Sequence, residues 1–181
     1  ILLADGASEM LTIVTTAEKG VWRAREHVET GPFELLGLTC RDLGADGVAA
    51  VLMVGRKKMG ILPRGTGGGE LEQVDYIETE QEDSHFAGIR VADLNADGSE
   101  DLLLRDTGQR ELQIYYRRKE GWKNGMRFQV VETRMRQRRG SSGNQPREVV
   151  AGDVTGDGLT DMAIIVHDNV IVYPQQADVA R

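Results

Sequence analysis

Cysteine is almost missing from this chain. Cys40 stands alone among 181 residues, so no internal disulfide can form and the redox compartment stays open. Long apolar runs are missing too: none approaches the roughly 20 residues of a membrane-spanning helix. There is no signal-peptide pattern, no Asn-x-Ser/Thr sequon and no lipidation motif. Gly65-Thr66-Gly67-Gly68-Gly69 lacks the Lys-Ser/Thr that a phosphate-binding loop needs after its glycines, so it reads as a flexible loop between strands. Gly-x-Ser-x-Gly and His-Glu-x-x-His are absent. The three histidines, His27, His85 and His167, are isolated from one another. Each sits in or beside a predicted strand and reads as structural, and Cys40 reads as a small buried residue rather than a nucleophile. Positive charge is in deficit: the net charge is −7 and the pI about 5.0. A polyanionic nucleic acid is therefore excluded as the expected partner, because affinity there comes mainly from neutralising phosphates. The first residue is Ile and not Met, which leads to the expectation of a processed, trimmed or partial chain.

What is present points elsewhere. Apolar residues make up 40% of the chain, enough for a core, and the length suits one domain or a piece of a larger protein. The most informative stretch is Asp93-Leu94-Asn95-Ala96-Asp97-Gly98-Ser99-Glu100-Asp101. Oxygen-bearing side chains fall at positions 1, 3, 5 and 9, with Gly at position 6. Calcium is a hard cation that takes six to eight oxygen ligands, and a carboxylate-rich loop with a Gly for its sharp turn supplies them. The candidate ligands are the side chains of Asp93, Asn95, Asp97 and Asp101, with the Ser99 carbonyl at position 7. The loop returns as Asp153, Thr155, Asp157 and Asp161, with Gly158 at position 6 and Leu159 at the carbonyl position. A third copy keeps Asp42, Asp46 and Gly47 but has Gly44 and Ala50 at positions 3 and 9, so it reads as a weak or lost metal site.

The loops begin at 42, 93 and 153, which are 51 and 60 residues apart. A second marker, apolar-Glu-Thr, recurs as Val28-Glu29-Thr30, Ile77-Glu78-Thr79 and Val131-Glu132-Thr133. Trp22 and Trp122 precede two of these markers. Such periods signal a repeat architecture. Each unit reads as four short strands. In the clearest unit these are Phe86 to Val91, Leu102 to Leu104, Leu112 to Tyr116, where apolar and polar residues alternate, and Phe128 to Thr133. Asp106-Thr107-Gly108-Gln109 and Lys119-Glu120-Gly121 are the turns. Ile1-Leu2-Leu3 aligns with Leu102-Leu103-Leu104. The predicted units are 1–32 (partial), 33–84, 85–146 and 147–181 (partial). Arg134 to Gln145, rich in arginine, reads as a solvated loop, with an anionic partner site as its second reading.

These features resemble the FG-GAP / VCBS repeat family, the blades of calcium-loop β-propellers that include the integrin α-subunit head. The most specific part is Asp-x-Asn/Thr-x-Asp-Gly-x-x-Asp followed at once by an apolar strand, as in Asp101-Leu102-Leu103-Leu104 and Asp161-Met162-Ala163-Ile164-Ile165. No Phe-Gly…Gly-Ala-Pro signature is found, so the bacterial VCBS side of the family fits better than the integrin side. The resemblance implies an all-β fold built of β-propeller blades, each a four-stranded antiparallel sheet. About three to four units are expected, as part of a larger propeller. It also implies a loop that joins the first two strands of a blade and binds Ca2+. An EF-hand fits poorly, since position 12 is Leu104 or Ile164 and strands follow, where that motif needs a Glu and a helix. A dockerin would place its two loops closer together, each with a helix behind it. The metal-free alternative is that the Asp-Gly pairs only make turns.

Three carboxylates within about 4–5 Å repel by a few kcal/mol per pair at an effective dielectric near 20. A cation reverses that sign and clamps the connection between two strands. Calcium modules outside the cell often bind with dissociation constants of about 0.1–1 mM. The expected setting is therefore extracellular, cell-surface or periplasmic. The expected function is a non-catalytic calcium-binding scaffold, adhesion or ligand-recognition module, with a protein or carbohydrate ligand. The remainder of a longer chain or another subunit is the expected partner for its open faces. The alternative is the propeller part of an extracellular carbohydrate-active enzyme, for which Tyr115 and Tyr116, read as surface residues, would offer stacking rings.

Overall fold

The computed structural model describes residues 2–5, 9–16, 20–43, 49–62, 75–130, 146–166 and 168–176. These residues form fourteen strands and no α-helix. The strands are β1 (Leu2–Asp5), β2 (Met10–Thr16), β3 (Trp22–Glu29), β4 (Leu35–Asp42), β5 (Ala49–Gly55), β6 (Lys58–Leu62), β7 (Asp75–Glu78), β8 (Phe86–Ala92), β9 (Asp101–Asp106), β10 (Glu111–Arg118), β11 (Gly121–Gln129), β12 (Pro146–Gly152), β13 (Asp161–Val166) and β14 (Asn169–Tyr173). They make four antiparallel up-and-down sheets, β1-β2-β3, β4-β5-β6-β7, β8-β9-β10-β11 and β12-β13-β14. These are propeller-type blades, stacked face to face and not closed into a ring.

The apolar pattern explains which strands sit centrally. Val51-Leu52-Met53-Val54 in β5 and Leu102-Leu103-Leu104 in β9 are continuous apolar runs, and all of these residues are buried. A strand buried on both faces reads this way. Each central strand sends alternate side chains to the two neighbouring blades. Val51, Met53 and Leu62 pack with Leu11 and Phe33 between the first and second sheets. Leu52, Val54, Met59 and Ile61 pack with Phe86, Leu102, Leu104 and Tyr115 between the second and third. Leu103, Leu112 and Ile114 pack with Val149, Ile164 and Val166 between the third and fourth. Full burial of one such side chain stabilises the fold by about 1.5–3 kcal/mol. The core is thus three slabs, one between each pair of blades.

The registers match across blades. Ile13 pairs with Leu2 and Ile114 with Leu103, which places Leu2 and Leu103 at equivalent positions, as the sequence alignment of 1–3 with 102–104 expects. The apolar-Glu-Thr marker also acquires a reason. Thr30 N–H donates to the Glu9 carbonyl at 2.8 Å, and Thr79 N–H to the Lys57 carbonyl at 3.0 Å. Each marker Thr latches the end of the outer strand to the preceding hairpin turn. Thr133 lies outside the described residues, as do Gly65–Gly69, Arg134–Gln145 and Asp46.

Three expectations need correction. The outer strand of the third blade is Gly121–Gln129, beginning seven residues before Phe128, because Trp122, Lys123 and Asn124 pair directly with Arg117, Tyr116 and Tyr115. Cys40 is exposed, since β4 is an edge strand with one sheet neighbour. Tyr115 is buried between the second and third blades, with its hydroxyl donating to Gln113 Oε1 at 3.0 Å, and Tyr116 packs on the core between the third and fourth. Neither ring stands open on the surface.

Candidate functional site

The two full loops connect the first strand of a blade to the second: 93–100 joins β8 to β9, and 153–160 joins β12 to β13. The sharp turn falls at Gly98 (φ +82°) and Gly158 (φ +84°), a left-handed conformation that only glycine adopts without strain. Position 4 is left-handed as well. It is Gly156 (φ +80°) in one loop and Ala96 (φ +59°) in the other.

The carboxylates first organise the loop's own backbone. Asp93 accepts N–H bonds from Asn95, Asp97 and Gly98, and Asp153 from Gly156, Asp157 and Gly158, at 2.6–3.3 Å. At position 5, Asp97 accepts from Ser99 N–H and Asp157 from Leu159 N–H, both at 2.9 Å. The position-9 carboxylates are fully buried. Asp101 accepts from Leu94 and Arg117 N–H, at 3.1 and 3.0 Å. Asp161 accepts from Val154 and Gln175 N–H, both at 2.9 Å. This Asp therefore staples the start of the loop to the end of the third strand, at Arg117 within β10, or to the residues just beyond it, at Gln175 after β14. Ala50 occupies the equivalent position in the second blade, opposite Arg41 as Asp101 is opposite Ala92, and has no carboxylate to make the staple. Asp42 ends β4, and Asp46 lies outside the described residues.

The model of the FG-GAP-like repeat matches residues 93–164. That segment is similar to an FG-GAP-like repeat. The match opens on the first position of one loop and closes just beyond the last position of the other. No curated protein matches the chain.

The electrostatics of the two FG-GAP-like loops differ. Burial raises the pKa of Asp101, and the negative charges of Asp97 and Asp93 add to the rise against the pull of Arg117 and Leu94 N–H. Burial also raises Glu100, reinforced by Asp93, Asp101 and Asp42 of the preceding blade. Glu100 Oε2 is buried without a hydrogen-bond partner. In the other loop Asp161 is lowered, chiefly by the Gln175 N–H and further by Thr155 and Val154. The Thr155 hydroxyl turns inward to donate to Asp161 at 3.0 Å. Asp97 is lowered by the Ser99 N–H, then by Asn95 and Arg118, whose guanidinium meets its Oδ2 at 2.9 Å. Arg117 also reaches from the third blade to the Leu43 carbonyl of the second.

Among the described residues, no three His, Cys, Asp or Glu side chains are drawn together as a group that holds a metal ion. The donor chemistry nonetheless suits a hard cation. A carboxylate offers about four lone-pair sites, so one that accepts two or three N–H bonds retains sites for a cation. The unpartnered Glu100 oxygen and the mutual repulsion at Asp101 mark the first loop as short of positive charge. Glu100, Arg117, Arg118 and Gln175 were missed in the sequence as parts of the site. Glu100 was visible inside the motif. The others approach from the ends of β10 and β14, distances in sequence that the loop spelling does not encode.

A second concavity lies on the inner strands. Residues of β4, β8 and β12, among them Leu38, Arg41, Ile89, Arg90 and Val150, line a groove of about 390 Å³. Arg90 spans it, donating to the Val149 carbonyl at 2.9 Å and pairing with Glu148. His27 lies on the first blade, its Nδ1 3.0 Å from Thr12 Oγ1. The backbone N–H of His85 donates to Asp106 at 2.8 Å, and His167 lies outside the described residues.

Proposed function

We propose that the loops 93–101 and 153–161 bind calcium, and that the chain is a non-catalytic recognition or adhesion scaffold working in a calcium-rich setting outside the cell. The observation that carries this reading is the repetition of one oxygen-rich loop, with matching backbone turns, between the first and second strands of consecutive blades. Asp93, Asn95, Asp97 and Asp101, with the Ser99 carbonyl, would hold one ion. Asp153, Thr155, Asp157 and Asp161, with the Leu159 carbonyl, would hold the other. The cation supplies positive charge that offsets carboxylate repulsion and fixes the strand connection. The chain's own residues set the turn through Gly98 and Gly158 and staple it through Asp101 and Asp161. Ligand contact falls to the loops and the groove at the inner strands, with a protein or carbohydrate as the ligand class.

The test is the thermal midpoint in EGTA and in about 2 mM calcium, a concentration above the dissociation constants of extracellular sites. It is run on the wild type, Asp97→Ala and Asp157→Ala. The expected outcome is a rise of several degrees with calcium, diminished in each variant. An unchanged midpoint would remove the metal from the reading and leave the loops as Asp-Gly turns.

A further inference from the structure

The inner strands of consecutive blades meet in two different ways. Where the third blade meets the fourth, two arginines close the junction. Arg90 Nε donates to the Val149 carbonyl of β12 at 2.9 Å, while its Nη1 holds the Ile89 carbonyl of its own strand at 2.8 Å. Arg105 donates to the Arg147 carbonyl of β12 and, at 3.1 Å, to the Ala87 carbonyl of β8. Alternate carbonyls of both strand edges are thereby capped. Strand register gives the equivalent positions one blade earlier. Thr39 pairs with Leu52 as Arg90 does with Leu103, and Gly37 with Val54 as Gly88 does with Arg105. Thr39 and Val54 therefore stand where the two arginines stand.

The junction without those guanidiniums is open. The groove of about 390 Å³ lies there, walled chiefly by β4 on one side and β8 on the other. Ligand sites span roughly 300–1,000 Å³. Both walls belong to blades that pack against a neighbour on each side. Leu36, 49% exposed, lines the groove with Val54 and Ile89. Leu36 and Leu38 are the equivalents of Ala87 and Ile89, so their carbonyls face this edge, and Thr39 and Val54 offer them no guanidinium. Arg41 lines the same groove. It is exposed and gives an Nη1–H to the Cys40 carbonyl at 3.0 Å. A guanidinium has further N–H donors to give, and among the described residues no carboxylate pairs with this one.

We infer that this groove takes an extended peptide segment bearing a carboxylate, with the β4 edge holding its backbone and Arg41 its charge. The inference rests on the proposed recognition role of the inner-strand groove and does not depend on calcium. An extended chain turns N–H groups to one edge at every second residue, which is the spacing of the Leu36 and Leu38 carbonyls. Addition of a strand to an open edge is a recurring mode of peptide capture. Alternate side chains of the peptide then lie against Leu36 and Ile89. A carboxylate matches the Arg41 fork, which can hold both of its oxygens. The lining disfavours a sugar. It holds no aromatic ring, and Thr39 carries its one hydroxyl, so most sugar hydroxyls would lose water without gaining a partner.

A fluorescence-polarisation screen tests it, with labelled hexapeptide mixtures in which Asp, Leu, Val and Gly are varied at every position. The expected result is selection of peptides that join apolar residues two apart to an Asp, in EGTA as in calcium. Arg41→Gln is expected to weaken the selected peptide by about tenfold or more. Leu36→Asp is expected to abolish its binding, and N-methylation of the peptide is expected to weaken it at alternate nitrogens and not at those between. Both substituted positions are exposed, so circular dichroism is expected to show unchanged strand content. Selection of no peptide overturns the inference. So does a selected peptide that Arg41→Gln and Leu36→Asp bind as the wild type does. Failure of the peptides beside a preserved calcium response sinks this inference alone. Peptide binding without a calcium response sustains it and removes the calcium reading. Capture of an acidic oligosaccharide in place of the peptides overturns it while leaving the groove a recognition surface.

Discussion

The loops at 93–101 and 153–161 share a spelling and a backbone path, yet they balance their charges differently. The first concentrates negative charge: Asp93, Asp97, Glu100 and Asp101 lie in one loop, near Asp42 of the preceding blade, and Asp101 and Glu100 are both pushed toward protonation. The second has Thr155 at position 3 and Thr160 at position 8, and its Asp161 is held ionised by three N–H groups and a hydroxyl. Equivalent carboxylates thus shift in opposite directions. The difference teaches that a single motif spans two regimes, one in which the chain satisfies its own carboxylate and one in which like charges stay crowded together.

The sharpest way to break this comparison is to remove the two staples in the absence of calcium. Asp161→Ala leaves three N–H groups and a hydroxyl without their acceptor, and should cost about 3 kcal/mol, at the upper end for orphaned buried donors. Asp101→Ala orphans fewer donors and relieves repulsion, so its cost should be about 1–2 kcal/mol. Urea unfolding of both variants in EGTA measures the difference, and equal losses would erase the distinction. Calcium should then act mainly on the first loop. At about 2 mM calcium and a dissociation constant of about 0.1–1 mM, one site adds roughly 0.6–1.8 kcal/mol, or about 2–6 °C in a domain of this size. Asp97→Ala is expected to remove more of that rise than Asp157→Ala.

Smaller effects refine the contrast. Thr155→Asn converts the second loop toward the first and deletes the hydroxyl bond to Asp161. The calcium-free protein should lose about 1 kcal/mol, and its response to calcium, read by titration calorimetry, should grow. Glu100→Gln tests the buried charge. The folded state holds the Glu100 proton more tightly than the unfolded chain, whose value is near 4.5, so ionised Glu100 weakens the fold at neutral pH. The substitution should stabilise the protein at pH 7, and the gain should fade as pH falls through the raised folded-state value and be gone below about 4.5. Smallest of all, Ala96→Gly adopts the residue found at position 4 of the second loop. Relief of the left-handed strain, about 1–2 kcal/mol, is largely offset by the added freedom of the unfolded chain, leaving a net gain of about 0.5 kcal/mol.

Much of this architecture was legible in the sequence because the strands are locally encoded. The alternation of Leu112, Ile114 and Tyr116 with Gln113 and Tyr115, and the uninterrupted Leu102–Leu104 run, announce strands whichever neighbour they meet. The repeated loop then fixed where each blade turns. What escaped was non-local. The extent of β11 is set by pairing with β10 and not by its own residues, since Lys123, Asn124 and Gly125 carry no strand signal. Gly125 is there because Tyr116 lies across it: a Cβ would sit 2.0 Å from the ring. Likewise the loop spelling names oxygen donors but says nothing of Arg118 on Asp97, or of the half-buried Glu100, on which Asp42 of the preceding blade also acts. The exposure of Cys40 depends on which strand of the sheet is the edge, a fact of topology that composition does not contain.

The latch at the end of the second blade has a consequence for how such a chain can lengthen. The segment 79–86 crosses from the outer strand of one blade to the inner strand of the next while bonded at both ends to one hairpin turn: Thr79 N–H to the Lys57 carbonyl, and Phe86 N–H to the Arg56 carbonyl at 2.7 Å. A duplicated gene segment that stopped at the outer strand would carry the turn but leave behind the crossing that it anchors. The heritable unit that copies without orphaning these carbonyls therefore includes the crossing and the first residue of the following strand. The seam that keeps both carbonyls bonded lies inside a blade, one residue into its first strand and past the boundary that the eye would draw.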